Sequence, residues 1–169
     1  MIINNLDEMK KFANILADLL KETDVINLIG EMGAGKTTLT AFIGECFSIK
    51  DSSSPTFAIV NIYDGEIRIY HLDLYRLEDP DEILDIDYEK YFYPDDGITI
   101  IEWAENASYY LPDQMINIEI RKIDENKREI LIREDSKRGC EINEHFSNWH
   151  FYNDFNCNYC KRWWNYWWF

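Results

Sequence analysis

The stretch from Gly30 to Thr37 reads Gly-Glu-Met-Gly-Ala-Gly-Lys-Thr and fits the pattern G-x-x-x-x-G-K-[ST] in full. Small residues at 33, 34 and 35 let the backbone wrap closely around an anion, so that successive N–H groups can point at a phosphate. In such a loop Lys36 bridges the β- and γ-phosphate oxygens, and the Thr37 hydroxyl ligates Mg²⁺. The motif therefore predicts a site for a nucleoside triphosphate together with magnesium.

Two carboxylates stand at the ends of predicted strands, where a hydrolytic site would need them. Such a site requires acids that hold the metal and orient the attacking water, usually at strand ends beside the loop. Glu102 directly follows the apolar run from 98 to 101, which is the placement of a metal-binding acid, and Asp73 ends the run from 67 to 72. Either could instead be a solvated carboxylate, since the chain has 32 acidic residues. Position favours a metal-binding role for Glu102.

His71 and Arg76 flank Asp73 and each has two possible roles. His71 could act as a general base, although a single histidine near a strand end is more often a structural hydrogen-bonding group. Arg76 could act as an arginine finger on the γ-phosphate, or it could pair with the acidic surface. In both cases the second role is favoured.

The elements around the loop have the order that a phosphate-binding loop needs. Apolar residues recur at three-and-four spacing from 6 to 21 and predict an amphipathic helix, which Asn5 and Glu8 would begin as a capping box. The run from 25 to 29 predicts a buried strand that leads into the loop. Residues 37 to 47 contain few helix breakers and predict the helix that follows. The loop thus joins a strand to a helix.

Further elements complete a predicted α/β domain. Residues 57 to 63 and 67 to 72 predict an antiparallel hairpin that turns at Asp64-Gly65. The remaining predictions are a short helix at 81 to 88, a strand at 98 to 101, and a closing hairpin at 115 to 123 and 129 to 132. We expect a three-layer fold of the P-loop NTPase type, with a mixed, mainly parallel central sheet flanked by helices.

The chain is strongly acidic, with 17 Lys and Arg against 32 Asp and Glu and a net charge of -15. Such a surface repels phosphate backbones, so autonomous binding to DNA or RNA is not expected. Binding one nucleotide is compatible with this charge, because the loop uses backbone N–H groups, one lysine and the metal. The first residues lack the features of a secretory signal, and no stretch approaches the ~18 apolar residues of a membrane span. We expect a cytoplasmic protein with no membrane partner.

Residues 134 to 169 differ in character from the rest of the chain. Five of the six tryptophans lie there, and no period of 2 or 3.6 is evident. The pattern predicts a P-loop domain at 1–133 and an aromatic, cysteine-containing extension at 134–169.

The extension leaves several roles open. In a reducing compartment its thiols would be free or would bind metal, and a zinc site could draw on Cys140, Cys157, Cys160 and His145 or His150. The tryptophan-rich end could lie at a membrane interface or pack on a partner. The favoured alternative is an extension that packs on the domain or is disordered.

Four motifs, in this order, resemble the TsaE family, formerly called YjeE. They are Gly30 to Thr38, Ser54-Pro55-Thr56-Phe57, His71-Leu72-Asp73-Leu74-Tyr75-Arg76 and Ile101-Glu102-Trp103. The resemblance covers about residues 5 to 133. Members of the family are small P-loop ATPases that support the synthesis of N6-threonylcarbamoyladenosine at position 37 of tRNAs reading ANN codons, together with the TsaD and TsaB proteins. The resemblance implies a Mg-dependent ATPase that is slow alone and is stimulated by these partners, which hold the tRNA.

The resemblance also implies roles for individual residues. The residues implied to bind the nucleotide are Gly30, Met32, Gly33, Ala34, Gly35, Lys36, Thr37, Thr38, Thr56 and Trp103. The implied catalytic residues are Lys36, Asp73 and Glu102, with Thr37 and Glu102 as the ligands of Mg²⁺. Ser54-Pro55-Thr56 would form a switch-like loop near the γ-phosphate, and Trp103 would report or gate the site. Arg128 matches an arginine that family members often carry after the penultimate strand.

Two other functions use the same loop. A small-molecule kinase would need a clamp for a phosphorylated acceptor, and the segment between 79 and 98 is mostly acidic and aromatic, without an arginine-rich lid. A nucleotide switch that binds ATP without hydrolysing it is the other alternative. Adenine, and not guanine, follows mainly from the resemblance, because Asn126-Lys127-Arg128-Glu129 does not complete the N-K-x-D motif that reads guanine.

Overall fold

The structure is a computed structural model, and it describes residues 1–49 and 58–154, with side chains up to residue 147. Within these residues a seven-stranded sheet has the order β1-β7-β6-β2-β5-β4-β3. The strands are Ile2–Ile3 (β1), Val25–Ile29 (β2), Val60–Tyr63 (β3), Arg68–Asp73 (β4), Gly97–Glu102 (β5), Met115–Lys122 (β6) and Arg128–Ile132 (β7). The α-helices are Leu6–Leu19 (α1), Lys36–Cys46 (α2), Tyr88–Phe92 (α3) and Lys137–Asp154 (α4). Two 3-10 helices span Pro80–Asp85 and Ala104–Ala107.

The sheet is parallel in its centre and antiparallel at its edges. β6, β2, β5 and β4 run parallel, whereas β3 pairs antiparallel with β4, and β7 pairs antiparallel with both β6 and β1. The carboxyl ends of β2, β4 and β5 therefore meet at one edge, which is where ligands bind in open α/β sheets. The predicted mixed, mainly parallel sheet is confirmed.

Helices cover both faces of the sheet, which makes three layers. Consecutive strand residues point to opposite faces, and in β5 Ile100 belongs to the core under α1, α2 and α4, while Ile101 belongs to the core under the 3-10 helices and α3. Both side chains are fully buried. The continuous apolar run of β5 is thus explained by burial on two faces.

Most element boundaries agree with the predictions, and one helix does not. Instead of a single helix at 81 to 88, the chain forms the 3-10 helix Pro80–Asp85 and then the separate helix α3. Asp79 and Glu82 make a capping box that starts the first piece, but Ile86 is extended, with φ -112° and ψ 160°, and interrupts the helix. Ile83, in the first piece, and Phe92, in α3, are both fully buried in the same core, and tertiary packing of this kind commonly overrides local helix preference.

Helix α4 packs its first turns against the rest of the domain. Ser136 starts the helix, since its Oγ accepts from Gly139 N at 2.9 Å and donates to Met115 O at 2.6 Å. Ile142 and Phe146, four residues apart, are buried in the main core, and the Phe146 ring lies 4.8 Å from the Phe12 ring between centroids.

No helical period is evident in the sequence of this segment, because many other aromatic residues obscure this short apolar stripe. The domain boundary between residues 133 and 134 stays a prediction. Within the predicted extension, α4 packs on the domain through Ile142 and Phe146.

Arg138 joins α4 to Asp24, which directly precedes β2 and therefore lies at the opposite end of that strand from the phosphate loop. Its Nε donates to Asp24 Oδ1 at 2.9 Å, its Nη2 to Asp24 Oδ2 at 2.8 Å, and its Nη1 to Glu141 Oε2 at 3.0 Å. The Asp24 carboxylate raises the pKa of the guanidinium above its ordinary value. The side chains are only 16% and 9% exposed for Arg138 and Asp24 respectively.

We expect Arg138→Met to lower the free energy of unfolding by about 3 kcal/mol, because Asp24 would remain as a buried, uncompensated charge. Urea unfolding monitored by circular dichroism measures the change. Lys137→Met is the control, since it removes the same charge from the exposed neighbouring position and should change stability by no more than about 0.5 kcal/mol. Equal stability of the two variants would show that the ion pair does not hold α4.

Candidate phosphate and metal site

The loop from Gly30 to Lys36 connects the end of β2 to the start of α2. A Cβ added at Gly30 would lie 2.4 Å from the Ile120 carbonyl oxygen, so a side chain there would collide with β6. Gly35 is the N-cap of α2 and has φ 111°, a left-handed conformation that glycine adopts without steric cost. These two glycines let the chain leave the sheet and enter the helix within one tight loop. The positive end of α2 faces the concave side of that loop.

Lys36 lies folded back on its own loop. Its Nζ donates to the carbonyl oxygens of Gly30 at 2.7 Å and Glu31 at 3.1 Å, and it lies 4.4 Å from the centroid of the Trp103 ring. The residue is only 5% exposed. These carbonyl and ring contacts hold the Lys36 side chain in place inside the loop.

Glu102 and Thr37 bring two oxygen ligands together from different elements. Thr37 Oγ1 donates to Glu102 Oε1 at 3.1 Å, which leaves the hydroxyl lone pairs free to ligate a cation. Glu102 is 3% exposed, and its backbone oxygen accepts from Leu74 N at 3.0 Å, which holds the ends of β4 and β5 together. A hydroxyl and a carboxylate suit Mg²⁺, which takes few protein oxygens and completes its shell with water and phosphate.

Asp73 stands next to Glu102 at the end of the neighbouring strand. The two residues are register partners in the pairing of β4 with β5. Asp73 Oδ1 accepts from Tyr75 N at 3.1 Å, so the carboxylate helps to turn the chain after the strand. The ring of Tyr75 lies 5.0 Å from that of Trp103 between centroids. Trp103 has φ 61°, a left-handed conformation that is costly for a bulky residue and is found mainly at functional sites.

His71 lies on β4, the strand beside the one that Glu102 ends, and is fully buried. Its Nε2 is 3.1 Å from Glu102 Oε1. The nearby Tyr63 ring is 6.2 Å from the imidazole between centroids. Burial raises the pKa of the Tyr63 hydroxyl, and the charge of Glu102 adds to this shift although a hydrogen bond from Asn61 opposes it. The Tyr63 phenol is therefore neutral at physiological pH.

Arg128 connects the phosphate loop to the turn between β6 and β7. Its Nε donates to Ala34 O at 2.7 Å, and its Nη1 donates to backbone carbonyls in the β6–β7 turn, including Asp124 O at 2.8 Å. The β6–β7 turn and the phosphate loop also border a cleft that Gly35 and Thr38 help to line. Residues from the start of α1 and from the turn line it: Asn5, Leu6, Asp7, Met9, Glu125 and Asn126.

The structure gathers most of the residues that the sequence analysis named. One cleft is lined by Met32, Gly33, Gly35, Lys36, Thr37, Thr38, Asp73, Tyr75, Glu102 and Trp103. Gly30 and Ala34 do not line this cleft and instead form the base of the loop, where Ala34 is fully buried. Arg76 is exposed and does not line it either. Thr56 and the rest of the Ser54-Pro55-Thr56 stretch lie outside the described residues.

The partners in three contacts at the site were not predicted from sequence, although a structural hydrogen bond from His71 was. The three contacts are Lys36–Trp103, Arg128–Ala34 and His71–Glu102. The only sequence signal for them was the presence of each residue in or near a motif, and the two members of each contact are 31 to 94 positions apart along the chain.

Two other expectations concern zinc and membranes. Cys140 is half-buried and its Sγ donates to Glu134 O at 3.7 Å, whereas Cys157 and Cys160 lie outside the described residues. Across the part of the chain that the structure describes, no group of three His, Cys, Asp or Glu side chains could hold a metal ion. Within the same residues, no helix is both long enough and apolar enough to cross a membrane.

The chain is similar to known proteins along most of its length. A family model described as "Threonylcarbamoyl adenosine biosynthesis protein TsaE" matches residues 3–130. Proteins named "tRNA threonylcarbamoyladenosine biosynthesis protein TsaE" include one from Bacillus subtilis, 39% identical over 128 residues, which are 75% of this chain and 79% of that protein. Another, from Nostoc sp., is 42% identical over 120 residues, or 68% and 73% of the two chains.

A solved structure agrees with these matches. The crystal structure of Bacillus subtilis YdiB has 30% sequence identity and a TM-score of 0.72, and the match covers 88% of this chain and 93% of that chain. The match therefore extends to the three-layer arrangement described above.

Proposed function

This chain belongs to the TsaE family, and from that premise we propose that it binds and hydrolyses ATP to support threonylcarbamoyladenosine formation on tRNA. The observation that carries the proposal is the convergence of Lys36, Thr37 and Glu102 in one cleft at the carboxyl edge of the sheet. A cation, a hydroxyl and a carboxylate at this edge match the needs of a triphosphate with its metal.

Separate residues of the site bind the phosphates, hold the metal and orient the attacking water. Backbone N–H groups of the loop and the first turn of α2 bind the phosphates, and Lys36 moves from the Gly30 and Glu31 carbonyls to the β- and γ-phosphate oxygens. Thr37 and Glu102 would hold Mg²⁺, and the ion would supply positive charge that offsets the charge of the phosphates. Asp73, beside Glu102, orients the attacking water. The cleft beyond Gly35 and Thr38 takes the ribose and the adenine.

Partner proteins, and not this chain, would bind the tRNA. With a net charge of -15, the surface repels a phosphate backbone, so TsaD and TsaB would hold the tRNA in the cytoplasm while this chain supplies ATP-driven turnover. Membranes and DNA have no part in this proposal.

A reconstitution with purified TsaD, TsaB, tRNA, an activated threonylcarbamoyl donor, ATP and Mg²⁺ tests the function. We expect repeated rounds of threonylcarbamoyl-tRNA formation only when this chain is added, and we expect ATP hydrolysis to be slow for the chain alone and faster in the mixture. The Lys36→Ala variant is the matched control. ATP binding without turnover in the mixture would favour a nucleotide switch, and full-rate phosphorylation of a small acceptor by the isolated chain would favour a kinase.

A further inference from the structure

His71 is a buried polar residue with an incomplete set of partners. The imidazole is fully buried in β4, and its Nδ1 has no hydrogen-bond partner among the residues that the structure describes. A polar group in such a place lowers stability unless it is hydrogen-bonded. An apolar side chain would fill the same space without an unpaired nitrogen, so packing alone does not explain a histidine here.

The one hydrogen bond of the imidazole joins it to the acid of the site. His71 Nε2 lies 3.1 Å from Glu102 Oε1. An ionised carboxylate can only accept hydrogen bonds, so Nε2 carries the hydrogen and donates it to Glu102. In the neutral imidazole, Nδ1 is then an acceptor without a donor.

Both side-chain hydrogen bonds to Glu102 reach the same oxygen. Oε1 accepts from Thr37 Oγ1 at 3.1 Å and from His71 Nε2 at 3.1 Å, whereas Oε2 accepts none among the described side chains. Thr37 on α2 and His71 on β4 thus hold the carboxylate by Oε1. Oε2 is left for the metal or for a water bound to the metal. The Glu102 backbone is held separately by Leu74 N, so these two side-chain donors act on the orientation of the carboxylate and not on the position of the strand.

We propose that His71 is a positioning residue, whose Nε2–H holds Glu102 Oε1 so that Oε2 faces the metal. This inference rests on the proposed function, because it assigns Glu102 to magnesium. Groups that orient a metal ligand in this way commonly contribute 10- to 100-fold to metal affinity or activity. A role of this kind requires a donor at the position of Nε2 and not merely a side chain that fills the space.

Two amide substitutions separate positioning from packing. In His71→Gln the amide nitrogen can reach the place of Nε2, whereas in His71→Asn the amide ends near the place of Nδ1 and cannot reach Glu102. We expect His71→Asn to raise the Mg²⁺ concentration for half-maximal ATP hydrolysis, or to lower kcat, by about 10-fold or more. His71→Gln should stay within about 3-fold of the unsubstituted chain. The full chain is assayed with TsaD, TsaB and tRNA.

The affinity for ATP measured in EDTA, which removes Mg²⁺, separates a loss of metal positioning from a loss of nucleotide binding. Both variants should bind ATP without metal as the unsubstituted chain does, since the phosphates are held by the loop. Equal Mg²⁺ dependence of the two variants, or an equal loss in both, would overturn the positioning role. If the unsubstituted chain neither binds nor hydrolyses ATP, the proposed function itself fails, whatever the variants do.

A spectroscopic measurement does not depend on the variants folding. Long-range ¹H–¹⁵N correlation spectra of the full chain report which ring nitrogen of each of its three histidines carries the hydrogen. We expect His71 to be protonated at Nε2 with Nδ1 bare. A hydrogen on Nδ1 with Nε2 bare would overturn the proposal, because no hydrogen bond to Glu102 would then exist.

Discussion

Replacing Lys36 with alanine should weaken ATP binding by about 100-fold or more. Among the described residues that line the cleft, Lys36 is the cation, and the proposed function places it on the β- and γ-phosphate oxygens. Hydrogen bonds to charged groups contribute about 1.5–3 kcal/mol each. Two such bonds, offset by the loss of those to Gly30 and Glu31, leave a net effect near 3 kcal/mol, which is about 100-fold in the dissociation constant. Isothermal titration with ATP and Mg²⁺ measures it.

Lys10→Ala is the matched control for this experiment. Lys10 is a half-exposed lysine on α1 that pairs with Glu45 on α2, so its loss changes the net charge equally without touching the cleft. Its ATP affinity should stay within about 2-fold, since exposed ion pairs contribute about 1 kcal/mol or less to stability and none to this site. Lys36→Met preserves the length of the side chain and should match Lys36→Ala. Unchanged affinity in both Lys36 variants would remove the lysine from nucleotide binding.

Replacing Glu102 with glutamine should cut ATP turnover by about 100-fold while changing ATP affinity only a few-fold. The amide oxygen can still accept from Thr37 and His71, but an NH₂ group then stands where Oε2 would face the metal. The ground-state contacts to the phosphates remain, so the loss falls on the stabilisation of charge that develops during hydrolysis. Single-turnover hydrolysis in the complete mixture, together with an ATP titration, separates the two effects.

Glu105→Gln is the corresponding control. Glu105 is exposed in the 3-10 helix that follows Trp103, so the substitution makes the same chemical change three residues away. Its turnover should equal that of the unsubstituted chain. If Glu102→Gln hydrolyses ATP at an undiminished rate, Glu102 is not the metal-binding acid, and Asp73 becomes the remaining carboxylate of the cleft.

The local parts of the site were predictable because they depend on adjacent residues. A run of apolar residues, a glycine-rich turn and a Lys-Thr pair determine strand, loop and helix within about twenty positions, and the structure has β2, the loop and α2 in those places. The antiparallel pairing of β3 with β4 was likewise predictable, since a short turn at Asp64-Gly65 permits little else. Glu102 and Asp73 were identified by the strands that they end.

The sequence alone thus determined the type of loop, the chemistry of its ligand and the family to which the motifs belong. Only the tertiary structure decided how the acid is held, since Thr37 and His71 reach Glu102 across 65 and 31 positions, through pairing of β4 with β5 and of β5 with β2. The same holds for α4, where Phe146 packs on Phe12, and for the break at Ile86. Contacts between distant segments depend on strand order and packing, which hydrophobic periodicity does not encode.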